Sequence, residues 1–184
     1  KNHWAVDLYA KGGCPFSYAV RVHDAVLTKN CPAWVANVVS RISNGGYDLA
    51  ITSQRAGVAW VGGNASAVSG LTKLWSQLTT DGLPILAIKD NPNPGQKIPA
   101  CLLAGGDCLA IKSKALKFDS QVQAATEVPA VKLVNFDHIF CDELNCLPVI
   151  GHAVVYRDDN HLTDTFARTL APYIEQEINK LLKN

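Results

Sequence analysis

Methionine is missing altogether from the 184 residues. A chain without it does not contain its own translation start, so this one is expected to be a processed product or a piece of something longer. Long apolar runs are missing too: none approaches the ~20 residues needed to cross a bilayer, and no signal-peptide pattern is present. Charge is sparse and balanced, with 17 basic against 16 acidic residues. A nucleic-acid-binding surface needs a basic cluster. The densest basic stretch here, Lys112, Lys114 and Lys117, reads as a solvated face, and no nucleic acid is expected as a partner. Zinc knuckles of the Cys-x-x-Cys type are also missing. His138, Cys141, Cys146 and His152 make a metal site on paper only, so no metal and no cofactor are expected.

What the chain does have is an ordinary globular composition, 48% hydrophobic, at a length that suits one α/β domain with a real core. Residues 1–184 are read as a single domain. The six cysteines fall into three sequence-local pairs: Cys14 with Cys31, Cys101 with Cys108, and Cys141 with Cys146. Other connectivities are formally open. An even count, with each pair bracketing one loop, points to disulfides and an oxidising compartment.

Strand-like and helix-like segments alternate. Trp4–Ala10, Tyr47–Thr52, Pro84–Lys89 and Val131–Phe136 read as short buried strands, and Val149–Tyr156 as a strand or hairpin arm. Pro32 opens a helical pattern that ends at Asn44-Gly45-Gly46, with Trp34, Val35, Val38, Val39 and Ile42 on one face. A second helix carries Val68, Leu71, Leu74, Trp75 and Leu78, and a last one starts at an N-cap Thr163, with Pro172 expected to kink or break it. The proline- and glycine-rich stretch Asp90–Lys117 is predicted to be a stapled loop with little regular structure. The first four strands are expected to lie parallel in one sheet with helices on both faces. Sites in such folds form at the carboxyl ends of the strands, which singles out the loops after Ala10, Thr52, Lys89, Phe136 and Tyr156.

The strongest local signal is Tyr156-Arg157-Asp158-Asp159-Asn160-His161-Leu162-Thr163. An Asp three residues before a His can orient the imidazole and leave its other nitrogen free as a general base. On spacing alone the same residues also read as a polar turn ahead of a helix.

YRDDNHLTDTFARTLAP resembles the last block of SGNH hydrolases as found in the C-terminal domain of acyltransferase-3 proteins, bacterial membrane enzymes that O-acylate cell-wall or surface glycans. The resemblance covers most of the chain. WAVDLYAKGGCP resembles the family's second strand and its Cys-Pro loop, YDLAITSQRA its third strand and following loop, and Cys141 through Cys146 the approach to its ending. The family's serine sits in a GDS motif after the first strand, and no GDS occurs here. A strand–helix–strand connection needs about a dozen residues or more. The resemblance therefore implies a serine roughly that far upstream of Lys1, in a fragment or one piece of a cleaved protein. The other reading is a serine-less relative. Ser17, Ser53 and Ser69 do not occupy the motif.

The resemblance implies a three-layer α/β/α, flavodoxin-like fold with a parallel sheet, lacking the first strand and helix. It implies His161 as general base, Asp158 as its orienting partner, and no cofactor. Oxyanion donors are expected around Gly12 and Gly13, with Ser53, Gln54 and Arg55 standing where the family has an asparagine block; Asn64 lies too far along its loop. Trp60, in a glycine-flanked loop, is a candidate for stacking on a sugar, while Trp34 and Trp75 read as core. The expected function is transfer of an acyl group, acetyl above all, to a cell-wall or surface glycan. The partners are an acyl donor, the glycan and an acyltransferase-3 transmembrane domain, on the exported side of a bacterial membrane. Carbohydrate esterase and non-catalytic carbohydrate-binding module are the alternatives, as is a subunit whose serine is supplied by a separate chain.

Overall fold

Ala67, Val68, Leu71, Leu74, Trp75 and Leu78 are buried along one side of a helix because they recur every three or four residues. In the computed structural model, which describes residues 3–22, 25–80 and 82–183, that helix is the second of the chain. The element order is α1 (Ala25–Asn44), β1 (Ala50–Ser53), α2 (Gly63–Thr79), β2 (Ile85–Ile88), α3 (Ile98–Leu103), β3 (Ala110–Ile111), α4 (Lys112–Ala115), α5 (Ser120–Glu127), β4 (Val131–Val134), α6 (Asp137–Phe140), β5 (Asn145–Cys146), β6 (Val149–Ile150), β7 (Ala153–Val154) and α7 (Asp164–Leu182).

The central sheet is parallel, in the order β1-β2-β4, with Ala50 opposite Ile85 and Ile85 opposite Val131. Side chains alternate across it. Ile85, Ala87 and Val131 face Val35 and Val39 of α1, the apolar stripe of α2, and Ala124 of α5. Leu86 and Val134 face the other way, onto Ile98, Phe140, Tyr156 and the Phe166, Leu170 and Ile178 of α7. The central strand β2, covered on both faces, is apolar throughout, whereas β1 and β4 carry exposed positions at Ile51, Ser53 and Lys132. The architecture is the expected α/β/α arrangement. The three expected disulfides are formed, Cys14–Cys31, Cys101–Cys108 and Cys141–Cys146, so Cys141 and Cys146 are not open to a metal.

Several boundaries differ from the sequence expectation. Trp4–Ala10 is not a strand: it is irregular, with Val6 and Leu8 more than 80% exposed. A strand needs a neighbour for its backbone groups, and among the described residues none pairs with this segment. It is held instead by side chains, Tyr9 and Asp7 both bonding the Tyr47 hydroxyl at 2.7 and 2.5 Å. The edge of β1 that pairs with no strand among the described residues, α1 and this segment enclose a groove of about 450 Å³, walled by Tyr9, Gly13, Trp34, Val38, Ile51 and Ser53.

α1 starts at Ala25, so Pro32 lies inside it. The turns around Pro32 are anchored by the Cys31 disulfide and by burial of Val35, Val38 and Val39, which offsets the lost backbone bond. α7 likewise continues through Pro172 and is capped by the Thr163 hydroxyl, which accepts the Phe166 N–H at 3.1 Å. The 90–117 stretch, expected as loop, holds α3, β3 and α4, with Pro99 in the first turn of α3, where its missing N–H costs nothing. Val149–Tyr156 forms a tight hairpin of β6 and β7, with Gly151 and His152 both at positive φ, the requirement of a two-residue turn of the mirror-image type.

Candidate active site

Between Val155 and α7 the chain makes a closed turn. Arg157 N–H donates to the His161 carbonyl and Thr163 N–H to the Val155 carbonyl, at 2.9 and 2.8 Å. Inside it, one oxygen of Asp158 accepts the Asn160 and His161 N–H groups at 2.9 and 2.7 Å. The other lies 2.8 Å from His161 Nδ1. The Asp158 carboxyl is held far below the ordinary carboxylate range, first by the His161 N–H, then by the Asn160 N–H, and to a lesser degree by the His161 ring. An ionised Asp158 makes Nδ1 the protonated ring nitrogen and leaves Nε2 with its lone pair, the form a general base needs. The arrangement exceeds a plain polar turn, which would hold the backbone without engaging the ring. The imidazole is 58% exposed, so Nε2 is open to a reacting group.

The loop after β1 opens at the same carboxyl end of the sheet. Gln54 donates from Nε2 to Ser120 Oγ at 3.1 Å, and its Oε1 is buried without a partner among the described residues. Ser53 and Arg55 are exposed. Arg55 sits near Arg21, whose guanidinium is pushed down chiefly by burial and then by Arg55. Gly12 and Gly13 make the turn closed by the Cys14 N–H to the Lys11 carbonyl at 3.0 Å, with Gly13 at φ 79°. Gly13, Ser53, Gln54 and Arg55 line the groove beside β1; Asp158 and His161 do not. Trp60 is a correction. It is 7% exposed and packs with Ala19 and Ala67, so its ring is not presented to a sugar. Trp75 is core, as expected, while Trp34 is half-buried on the groove.

Two groups escaped the sequence reading. Asp90, just past β2, is pushed up to about 6, mainly by burial, with Asp119 also raising it and the Ala56 N–H opposing. Tyr156 is 1% exposed with its hydroxyl unpartnered among the described residues; its phenol is pushed up by burial and by Asp90. The loop after Lys89 is one of the five that the strand pattern singles out, but nothing in Asp90-Asn91 as a dipeptide distinguishes it from a turn.

The family model of the SGNH domain (fused to AT3 domains) matches residues 1–176, and the chain belongs to that family. No curated protein matches the chain in a sequence comparison. Among solved structures, the periplasmic domain of the lipopolysaccharide acetyltransferase of Salmonella ser. Paratyphi A is similar. It has a TM-score of 0.65 and 16% identity, with 91% of this chain and 69% of that one covered. At that identity the likeness is one of fold.

Proposed function

We propose that residues 1–184 are the extracytoplasmic catalytic domain of a membrane O-acyltransferase, acting with an acyltransferase-3 transmembrane domain on a cell-wall or surface glycan. The observation that carries this reading is the Asp158–His161 pair, 2.8 Å apart at Nδ1, with no partner on Nε2 among the described residues. Family membership supports it, as do the periplasmic, acetyl-transferring character of the structural neighbour and three disulfides suited to an oxidising compartment. The serine comes from a strand upstream of Lys1 that lies in the groove along that edge of β1, next to Ser53–Arg55.

In the reaction the serine hydroxyl attacks the acyl carbonyl while Nε2 of His161 takes its proton. Asp158 holds the imidazolium, and donors in the Gly12–Gly13 turn and the Ser53–Arg55 loop carry the oxyanion. His161 then returns the proton to the leaving group. A glycan hydroxyl, deprotonated in turn by His161, attacks the acyl-serine, and His161 returns that proton to the serine oxygen as it leaves. Deacylation of a carbohydrate is the second reading, favoured by the 58% exposure of His161, which gives water access to the acyl-enzyme.

In the intact protein carrying its serine segment, His161→Ala should lower turnover of a chromogenic acetyl ester by several orders of magnitude, up to about 10⁶, with an unchanged circular dichroism spectrum. Near-normal turnover in the variant would sink His161 as the general base, whereas no turnover in the unmutated intact protein would move the non-catalytic carbohydrate-binding reading to first place.

A further inference from the structure

The loop leaving the central strand β2 reaches three other loops with three successive side chains. Lys89 ion-pairs with Asp137 in the segment after β4. Asp90 accepts the Ala56 N–H at 2.8 Å in the loop after β1. Asn91 donates from Nδ2 to the Asn160 carbonyl at 2.8 Å, inside the turn that carries Asp158 and His161. The loop is itself anchored. The Asp90 N–H donates at 3.0 Å to Asp119, a buried residue whose other oxygen caps α5, and Pro92 is fully buried.

The Asn160 carbonyl and the His161 N–H belong to one planar peptide group and point in opposite directions. Asn91 holds the carbonyl end, and Asp158 accepts the N–H end at 2.7 Å. Fixing one end aims the other, and a carbonyl that accepts a bond polarises its own N–H into a stronger donor. The Arg55–Ala56 peptide is gripped in the same way by Asp90 from its N–H side.

We infer that Asp90 and Asn91 are positioning residues that set the Asp158–His161 turn and the Ser53–Arg55 loop in register with one another. The inference rests on the acyl-transfer reading of the site. Neither residue touches the reacting atoms; each acts through the backbone it holds.

The test is Asn91→Ala, backed by Asn91→Leu, which keeps the volume and adds no charge should the smaller side chain fail to fold. In the full-length protein, a ¹³C NMR titration should show the Asp158 carboxyl midpoint moving up toward the ordinary carboxylate range. Turnover of the acetyl ester should fall roughly 10- to 100-fold in kcat with KM unchanged. Asp90→Ala should lower kcat in the same way without moving the Asp158 midpoint. Asn93→Ala, two residues on, where the side chain bonds only the Gly95 N–H among the described residues, should change neither quantity. A folded Asn91 variant with the wild-type midpoint overturns the inference, as does one with wild-type kcat. His161→Ala that kept turnover would sink the catalytic assignment of the Asp158–His161 pair instead, and the substrate-free titration would still decide whether Asn91 aims the peptide.

Discussion

Asp158 and Asp90 lie at the same end of the sheet and differ in which force governs them. Asp158 is more than a third exposed and receives two backbone N–H bonds and a ring nitrogen, so hydrogen bonding to the charged form wins and its pKa falls. Asp90 is largely shut off from water and has Asp119 close by. Burial of the charge wins even though the Ala56 and Asn91 N–H groups and Arg55 oppose it, and its pKa rises to about 6 from an ordinary 3.8. In the folded state Asp90 therefore keeps its proton to higher pH than in the unfolded chain. Its contribution to stability is fully present below about pH 4 and is lost as pH rises through 6. Asp90→Asn retains an acceptor for the Ala56 N–H but does not ionise. The variant should gain stability over wild type between pH 4.5 and 7, approaching roughly 2–3 kcal/mol at the upper end, read from urea midpoints at the two pH values. A constant difference would assign the rise to something other than Asp90.

At the scale of elements, α2 does two jobs. Its apolar stripe packs under the sheet, and at Gly70 its outer side lets the 17–19 segment run directly over it, with the Tyr18 N–H donating to the Gly70 carbonyl at 3.4 Å. A Cβ at position 70 would stand 2.3 Å from the Ala19 nitrogen and 2.6 Å from its Cβ. Gly70→Ala gains about 1 kcal/mol of helix propensity but forces backbone apart, and overpacking costs about 1–3 kcal/mol. Because the atom met is main chain rather than a flexible side-chain end, the clash should win. The expected outcome is a net loss of about 1–2 kcal/mol in a denaturant titration; a stabilised variant would show that the 17–19 segment is free to lift away.

For the whole molecule, the three disulfides carry unequal loads. Cys101–Cys108 and Cys141–Cys146 span separations of 7 and 5 residues and staple loops already tied to the core, since Cys108 and Cys146 are 2% exposed. Cys14–Cys31 spans 17 and joins the segment without a strand partner to α1. Closing a loop of about that size is worth roughly 3 kcal/mol in the chain-entropy model. Replacing both Cys14 and Cys31 by Ala should lower stability by about that amount and raise hydrogen exchange across residues 8–16. Exchange at the Asn160 and His161 amides, which bond within their own turn, should stay as in wild type. Loss of protection at those two amides as well would mean that the groove side and the Asp158–His161 turn unfold as one unit.

Local rules made much of this molecule legible from its sequence alone. The period of the apolar residues marked α2, α7, β2 and β4, and three short cysteine spacings matched the three disulfides. The Asp–His spacing located the turn of the candidate site, because both residues sit in one loop closed by hydrogen bonds between near neighbours in sequence. What depends on distant partners was not legible. Trp4–Ala10 has the composition of a strand, yet pairing is a property of two segments, and the segment has no strand beside it among the described residues. The helix through Pro32 needs an anchored turn on each side of the proline. Trp60 became core only because Ala19 and Ala67 close over it. The grip of Asp90 and Asn91 links residues 34 and 69 positions apart, a contact that exists only once the parallel sheet has brought its loops to one edge.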